Sequence, residues 1–283
     1  QGAKLDKIQS LTGMLDLYED GDNTNLSSKI FETERRIKKI FSSYQLNEIR
    51  TPALEDTNLF KRSVGDVSDI VNKEIYSFND RNDKSIALRP EGTASVIRAI
   101  IEKKLDQSNH KLWYMGPMWR YERPQKGRYR QFYQAGIEIL GYKEGSPEFE
   151  MISIICSIIK EFNLQDCHIK INHLGSQENK EAYCKALTDY LAPFKDKLDS
   201  KDLERLTRNP LRVLDSKNEE TILLLKGAPS IKSFLEPSAL QLLEDIKNQF
   251  GDICSIEIDH SLVRGLDYYS GFVFEAISSN LGA

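Results

Sequence analysis

The sequence has few residues that could build a covalent or metal framework. Its 283 residues include four cysteines and four histidines. No cysteine pair has CxxC spacing, and the histidines form no HExxH or His-x-His cluster. We therefore expect neither a disulfide framework nor a tightly bound metal ion.

Long apolar runs and a recognisable signal peptide are also missing. The longest apolar stretch, residues 151–159, is interrupted by Ser153, Cys156 and Ser157, whereas a membrane span needs about 20 apolar residues. These absences predict a cytoplasmic protein with no membrane partner. The 39 basic and 43 acidic residues exclude a global basic field, so any site for a polyanion must be local.

Helical and extended patterns alternate along the chain and predict an α+β fold. Apolar residues at helical spacing predict a helix over residues 26–41, and the extended segment before Pro52 predicts an edge strand. Further strands are predicted at residues 85–89, 168–173, 253–258 and 262–274, and further helices from near Thr93 and over residues 148–162. Residues 177–248 have only helical periodicity, which predicts a helical insertion into a mostly antiparallel sheet.

Residues 112–121 and 129–141 predict one long β-hairpin. Between them, residues 120–130 hold five cationic side chains and one carboxylate. Alternation puts two sets on opposite faces: Arg128, Arg130, Phe132, Gln134, Gly136 and Glu138 on a ligand face, and Tyr129, Tyr133, Ala135, Ile137 and Ile139 on a face predicted to join the core. The first set suits a ligand with phosphates, an aromatic base and a small polar group. The alternative is a solvated basic loop.

Three separated segments occur in the order found in one known family: residues 88–93 (LRPEGT), 116–132 (GPMWRYER to RYRQF) and 262–271 (LVRGLDYYSG). The second resembles motif 2 of class II aminoacyl-tRNA synthetases, and the third resembles the signature of the bacterial-type histidyl-tRNA synthetases. The helix over 26–41 with Arg50–Pro52 stands where the family has its dimer-forming motif 1. The resemblance implies a class II catalytic fold, an antiparallel sheet flanked by helices.

The resemblance also implies a domain plan. Residues 1–176 would form the catalytic core with motifs 1 and 2, residues 177–248 the helical insertion, and residues 249–283 the continuation of the core. The sequence ends before motif 3 and the anticodon-binding domain, so we expect impaired activity. Near the N-terminus it lacks the arginine that the family has before Gly13.

The family's residue roles transfer to matching positions in this sequence. ATP with Mg²⁺ would be bound by four residues: Arg120 at the α-phosphate, Glu122 at the adenine amino group, Arg128 at the outer phosphates and Phe132 stacked on the base. Histidine would be bound through its amino group by Glu91, Gly92, Thr93 and Gln134, through its imidazole by Glu138 with Tyr268 or Tyr269, and through its carboxylate by Arg264. Arg120 and Arg264 would be catalytic.

Simpler interpretations exist for several of these residues. Glu91 could be a charge at a helix N-terminus, Tyr268 and Tyr269 could be strand-packing residues, and Glu138 could pair with Arg264.

The implied reaction joins L-histidine to ATP as histidyl-adenylate and then transfers histidine to tRNA(His), in a homodimer. The substrate carboxylate is itself the nucleophile, so no catalytic triad is needed. The alternatives are the histidine-binding regulatory subunit of ATP phosphoribosyltransferase, a paralogue that erodes motif 2 and the signature arginine, and a synthetase-like regulatory domain of a larger kinase or assembly. The basic residues of the insertion predict contact with the tRNA acceptor arm, although nearby carboxylates nearly cancel their charge.

Overall fold

The structure is a computed structural model that describes residues 8–18, 26–64, 74–123, 128–263 and 269–279. The chain divides into two units, Gln1–Tyr142 and Lys143–Leu281. Each unit combines helices with strands, and four of the six strand pairings are antiparallel. The predicted α+β class is confirmed. In the described ranges, no helix is both long and apolar enough to cross a membrane.

The first unit contains three helices and six strands within its described part. In chain order they are α1 (Leu26–Ser43), β1 (Asn47–Glu48), β2 (Leu54–Asp56), α2 (Thr57–Val64), β3 (Ser77–Asn79), β4 (Ser85–Leu88), α3 (Thr93–Glu102), β5 (His110–Trp119) and β6 (Gln131–Leu140). Two three-stranded sheets result, with orders β1-β5-β6 and β2-β4-β3. The short strand β1 lies at an edge, as the sequence predicts.

Strands β5 and β6 form the predicted hairpin. Gln134 lies opposite Gly116, Gly136 opposite Tyr114, and Glu138 opposite Leu112. Paired residues in an antiparallel sheet share a face, so Tyr114 lies on the same face as Gln134, Gly136 and Glu138. A core cluster covers this face and contains Val96, Ile100, Leu112, Tyr114 and Met118, with Phe132 and Leu140 packed against it.

The prediction that the opposite face of β6 joins the core is wrong for its first half. Tyr129 and Tyr133 are 38% and 43% exposed, and Ala135 is also exposed. Helix α3 packs over the Gln134 face instead, through Val96 and Ile100. Alternation identifies which residues share a face, but it does not determine which face a helix covers.

The second unit contains five helices and three strands within its described part. They are α4 (Ser146–Glu161), β7 (Cys167–His173), α5 (Gln177–Leu191), α6 (Ser200–Arg208), α7 (Glu219–Leu225), α8 (Pro237–Phe250), β8 (Ser255–Ile258) and β9 (Phe272–Ser278), with short 3-10 helices at Ala192–Lys197, Pro210–Asp215 and Ile231–Phe234. The sheet order is β8-β7-β9. Residues 177–248 are all described and include no strand, as predicted. The proposed bounds of catalytic core and insertion remain a prediction.

Apolar packing accounts for the second unit. Ile152 of α4 and Leu243 and Ile246 of α8 pack against Ile169 and Ile171 of β7. Cys156 and Cys254 lie in the same cluster as free thiols, and burial raises the pKa of Cys156. They are therefore packing residues and poor nucleophiles.

The strand predicted over residues 262–274 is wrong in its described first part. Leu262 and Val263 are buried but not in a strand, and β9 begins only at Phe272. Gly271, directly before β9, has φ of +68°. This is not an extended conformation, and glycine adopts it without strain. Residues 264–268 lie outside the described ranges.

Candidate functional site

The start of α3 places three predicted site residues side by side. Strand β4 ends at Leu88, and α3 begins at Thr93. Glu91 and Gly92 lie between Pro90 and the start of the helix. The buried carboxylate of Glu91 accepts hydrogen bonds from the backbone amides of Thr93, at 2.6 Å, and Ala94, at 3.0 Å. First-turn amides have no acceptor within their own helix. The interpretation of Glu91 as a helix N-terminal charge therefore fits, and two of its acceptor positions remain for a ligand.

Glu138 reaches the same point from the sheet. Its Oε1 accepts a hydrogen bond from the Thr93 hydroxyl at 2.5 Å. Burial raises the pKa of Glu138 to about 7, an effect that the Thr93 hydrogen bond opposes and the nearby Glu91 carboxylate increases. Burial also raises the pKa of Glu91. Two carboxyl groups that resist ionisation in this way favour a ligand that brings N–H donors and positive charge.

Gln134 adds an unsatisfied acceptor on the same face of β6. Its Oε1 is buried, and no hydrogen-bond donor reaches it in the part of the chain that the structure describes. A buried acceptor without a donor costs about 1–3 kcal/mol, and such groups are rare in folded proteins. The Glu91, Thr93 and Glu138 groups, which are joined by hydrogen bonds at Thr93, and Gln134 on the same face of β6 are hereafter called the acceptor cluster.

Tyr114 lies on the same face of the sheet as Gln134 and Glu138, and sequence reasoning missed it. A Cβ atom on Gly92 would lie 2.2 Å from Tyr114 Cε2, and one on Gly136 would lie 2.1 Å from its Cζ. The buried ring is therefore held between α3 and β6, and only glycine fits on either side. Gly136 in the interior of a strand was the available signal, because such a glycine often marks a close approach.

Of the predicted ATP residues, Arg120 lies beside the acceptor cluster, next to Glu91. Arg120 Nε donates to the Pro90 carbonyl at 2.9 Å, and its guanidinium carbon lies 5.1 Å from the centre of the Phe132 ring. Glu122 and Arg128 form an ion pair at 3.6 Å, with Arg128 59% exposed. Arg120 and Arg128 each have a weak partner that an anionic ligand could replace.

Arg130 is not available to bind an anionic ligand in the same way, although it belongs to the predicted ligand face. Its guanidinium stacks on the Tyr121 ring at 3.9 Å, and its Nε donates to the Glu122 carbonyl at 3.2 Å. The backbone amides of Arg130 and Gln131 both donate to the Gly13 carbonyl. The segment around Gly13 therefore fixes the start of β6, a contact that local sequence patterns do not reveal.

The signature belongs to the second unit, and the structure describes only its two ends. Arg264 and Tyr268 lie outside the described residues, so their roles remain predictions. Tyr269 is 39% exposed, and its backbone carbonyl accepts a hydrogen bond from Lys180 Nζ at 3.1 Å. Its predicted contact with the imidazole likewise remains a prediction.

No group of three or more His, Cys, Asp or Glu side chains in the described ranges is arranged to hold a metal ion. Mg²⁺ typically binds one or two carboxylates together with substrate phosphates, so a Mg²⁺ ion would come with the nucleotide substrate.

Comparison with known proteins gives one family. A family model described as "Histidyl-tRNA synthetase" matches residues 24–283. A histidine–tRNA ligase of Francisella philomiragia is 46% identical over 254 residues, which cover 88% of this chain and 60% of the relative. The chain thus spans about three fifths of that relative's length.

Solved structures agree on the fold. Apo histidyl-tRNA synthetase of S. aureus matches with a TM-score of 0.72 and 32% identity, covering 95% of this chain and 61% of that one. A Bacillus halodurans protein titled as an ATP phosphoribosyltransferase regulatory subunit/histidyl-tRNA synthetase matches with a TM-score of 0.68 at 20% identity, covering 99% of this chain and 75% of that one. The second match concerns the fold alone.

Proposed function

The chain belongs to the histidyl-tRNA synthetase family, and on this basis we propose that it is the catalytic part of a histidine–tRNA ligase. The proposed reaction activates L-histidine with ATP and transfers it to tRNA(His) in the cytoplasm. The observation that carries this proposal is the acceptor cluster, in which the Glu91 and Glu138 carboxyl groups both bond to Thr93 and the unsatisfied Gln134 oxygen lies on the same face of β6 as Glu138. Free histidine carries N–H donors at both its α-ammonium and its imidazole, so it supplies what these groups lack.

The α-ammonium group is assigned to Glu91, Thr93 and Gln134. An ammonium has three donors, which match the remaining Glu91 acceptor positions, the Thr93 hydroxyl and Gln134 Oε1. Binding would remove the cost of the unsatisfied Gln134 oxygen, and it would favour the ionised form of Glu91. The Tyr114 ring between Gly92 and Gly136 keeps these groups at a fixed separation.

The imidazole is assigned to Glu138, with Tyr269 as the proposed second contact. Burial raises the pKa of the Glu138 carboxyl to about 7, and an imidazole N–H donor would favour its ionised form. Apolar side chains of similar size would leave Glu138 unpaired at a cost of about 1–3 kcal/mol. A site built to hydrogen-bond its substrate rejects analogues that lack the donor.

The nucleotide is assigned to Arg120, Glu122, Arg128 and Phe132. Adenine would stack on Phe132, where the Arg120 guanidinium now lies, and Arg120 would exchange the Pro90 carbonyl for the α-phosphate. Mg²⁺ bound to the substrate phosphates would neutralise part of their charge. Glu122 would release Arg128 to the outer phosphates and accept from the adenine amino group.

The chemical step requires position and charge stabilisation rather than a protein nucleophile. The histidine carboxylate attacks the α-phosphorus, a new P–O bond forms in line with the departing pyrophosphate, and the adenylate results. Arg120 is the described residue assigned to the charge that develops on the α-phosphate. Arg264 is proposed for the same role from its position in the signature.

The regulatory paralogue has less support. Arg120, Glu122, Arg128 and Phe132 are all retained, and their contacts leave a nucleotide site available. Histidine-dependent exchange of pyrophosphate into ATP tests the difference, because a histidine-binding regulator gives none. The exchange is expected to be present.

A homodimer is also part of the proposal. Tyr133 and Ala135 leave the second face of β6 exposed, and β1 at the sheet edge belongs to the proposed motif 1 region. A second copy would cover such surfaces. Sedimentation at micromolar concentration is the test, and a strict monomer would contradict this assignment.

A further inference from the structure

Two consecutive residues at the end of β7 are linked to the two described ends of the histidyl signature, residues 262–271. Asn172 bonds to one end directly, and His173 is linked to the other through a turn. Asn172 is fully buried, and His173 is 5% exposed. Polar side chains in such positions are costly unless they are hydrogen-bonded. The bonding groups of Asn172 lie in or next to the signature, about 90 residues further along the chain. Those of His173 are Glu144 and the Gly175 amide in the turn that bonds to the signature.

Asn172 holds the first end. Its Nδ2 donates to the Leu262 carbonyl at 3.0 Å, and its Oδ1 lies 3.1 Å from His260 Nδ1. An amide oxygen only accepts, so His260 donates from Nδ1 in this arrangement. Leu262 and Val263 are buried, and the chain continues from them directly into Arg264.

His173 holds the second end through a turn. Its Nδ1 accepts from the Gly175 amide at 2.9 Å, and its Nε2 lies 2.8 Å from Glu144 Oε1. The Gly175 carbonyl accepts from the Gly271 amide at 3.1 Å, and the Gly271 carbonyl accepts from the Leu174 amide at 2.7 Å. Both glycines have positive φ, 74° and 68°. The histidine ring thus fixes the turn to which the end of the signature is bonded.

We propose that Asn172 and His173 are positioning residues that hold the signature, and with it Tyr269, in the geometry needed for histidine binding. Neither is proposed to touch substrate. The expected effect on histidine binding rests on the proposed function. The constraint on the ends of the signature does not depend on it. Lys180 of α5 supports the same end through the Tyr269 carbonyl.

The first experiment measures amide hydrogen exchange in this chain without ligand, in His173→Leu, His173→Asn and the control His168→Leu. The asparagine Oδ1 takes the place of Nδ1 as acceptor for the Gly175 amide, whereas leucine has no acceptor. His168 lies on the same strand. We expect exchange at residues 269–271 to rise about tenfold in His173→Leu, and to stay near wild type in His173→Asn and His168→Leu. Equal exchange in His173→Leu and wild type would overturn the proposal.

The second experiment measures L-histidine and ATP affinities by calorimetry in the same variants and in Asn172→Leu. We expect His173→Leu and Asn172→Leu to weaken histidine binding by about tenfold to a hundredfold, since small misplacements have effects of that size, and to leave ATP binding unchanged. A purely structural role would lower the melting temperature and spare histidine affinity, which would overturn the inference alone. A wild-type chain that binds no histidine, with the exchange result as expected, would instead overturn the proposed function.

Lys180→Met provides a second route if His173→Leu does not fold, because it removes the hydrogen bond from Lys180 Nζ to the Tyr269 carbonyl without altering a buried side chain. Faster exchange at residues 269–271 in this variant supports the constraint. Unchanged exchange there contradicts it.

Discussion

Replacing Glu138 by glutamine is expected to stabilise the fold and to weaken histidine binding at the same time. Glutamine keeps an oxygen that accepts from the Thr93 hydroxyl, which now lies 2.5 Å from Glu138 Oε1. It removes the carboxyl group that is buried beside Glu91. The substitution therefore separates two effects of the buried carboxyl group, its effect on the free energy of unfolding and its effect on histidine affinity.

The magnitude follows from the pKa of Glu138, which is raised from 4.5 to about 7. A carboxyl group whose pKa is higher in the folded state than in the unfolded state contributes stability to the fold below about pH 4.5. That contribution is lost as the pH rises to about 7. The two values correspond to about 3 kcal/mol. Glu138→Gln should thus be more stable than wild type by up to about 3 kcal/mol at about pH 8, and nearly equal to it at about pH 4.5.

Urea unfolding at both pH values measures this difference. Glu102→Gln is a matched control on the same helix as Thr93, because Glu102 is 68% exposed and pairs with Arg98, and it should change stability by less than about 0.5 kcal/mol. Calorimetry should show histidine binding weakened about tenfold to a hundredfold in Glu138→Gln, since a buried hydrogen bond to a charged group contributes about 1.5–3 kcal/mol. A less stable Glu138→Gln with intact histidine affinity would refute this reasoning, and would make Glu138 a structural residue.

Three further expectations follow from the contacts around the site and in the helical region. Gly136→Ala places a Cβ atom 2.1 Å from Tyr114 Cζ, so it should destabilise the protein by about 1–3 kcal/mol and weaken histidine binding. Ala135→Ser on the exposed face should do neither. Equal melting curves for the two variants would contradict the close packing of Tyr114 against Gly136. Arg208→Glu should weaken tRNA charging and spare adenylate formation, because Arg208 pairs only with the exposed Glu204, and a loss of adenylation would mean that the insertion supports the core. Arg205 is unsuitable for that test, because its guanidinium pairs with the buried Asp202. Gln134→Leu should weaken histidine binding and leave thermal stability unchanged or higher, because the unsatisfied oxygen is removed; unchanged histidine affinity would exclude Gln134 from the pocket.

The sequence predicts local structure well wherever a pattern repeats. The β5–β6 hairpin, the start of α3 at Thr93 and the helices over residues 177–248 all have strong periodicity or a proline boundary. The covered face of β6 could not be predicted in the same way, because its coverage depends on how α3 packs and not on alternation within β6.

Long-range contacts account for most of what sequence reasoning missed. A single tyrosine in a strand gives no indication that it lies between two glycines, although Tyr114 does. Asn172 and His173 are ordinary strand residues in the sequence, and their bonds to the signature and the adjoining turn depend on the pairing of β7 with β9. The roles of the acceptor cluster came from the family resemblance, while its hydrogen bonds and the raised pKa of Glu138 came from the fold.

Calorimetric titration of this chain with L-histidine and, separately, with ATP tests the central claim most directly. The acceptor cluster lies within the described residues. The account predicts that histidine binds and that Gln134→Leu and Glu138→Gln each weaken its binding. Tight ATP binding with no histidine binding would contradict the assignment of the pocket.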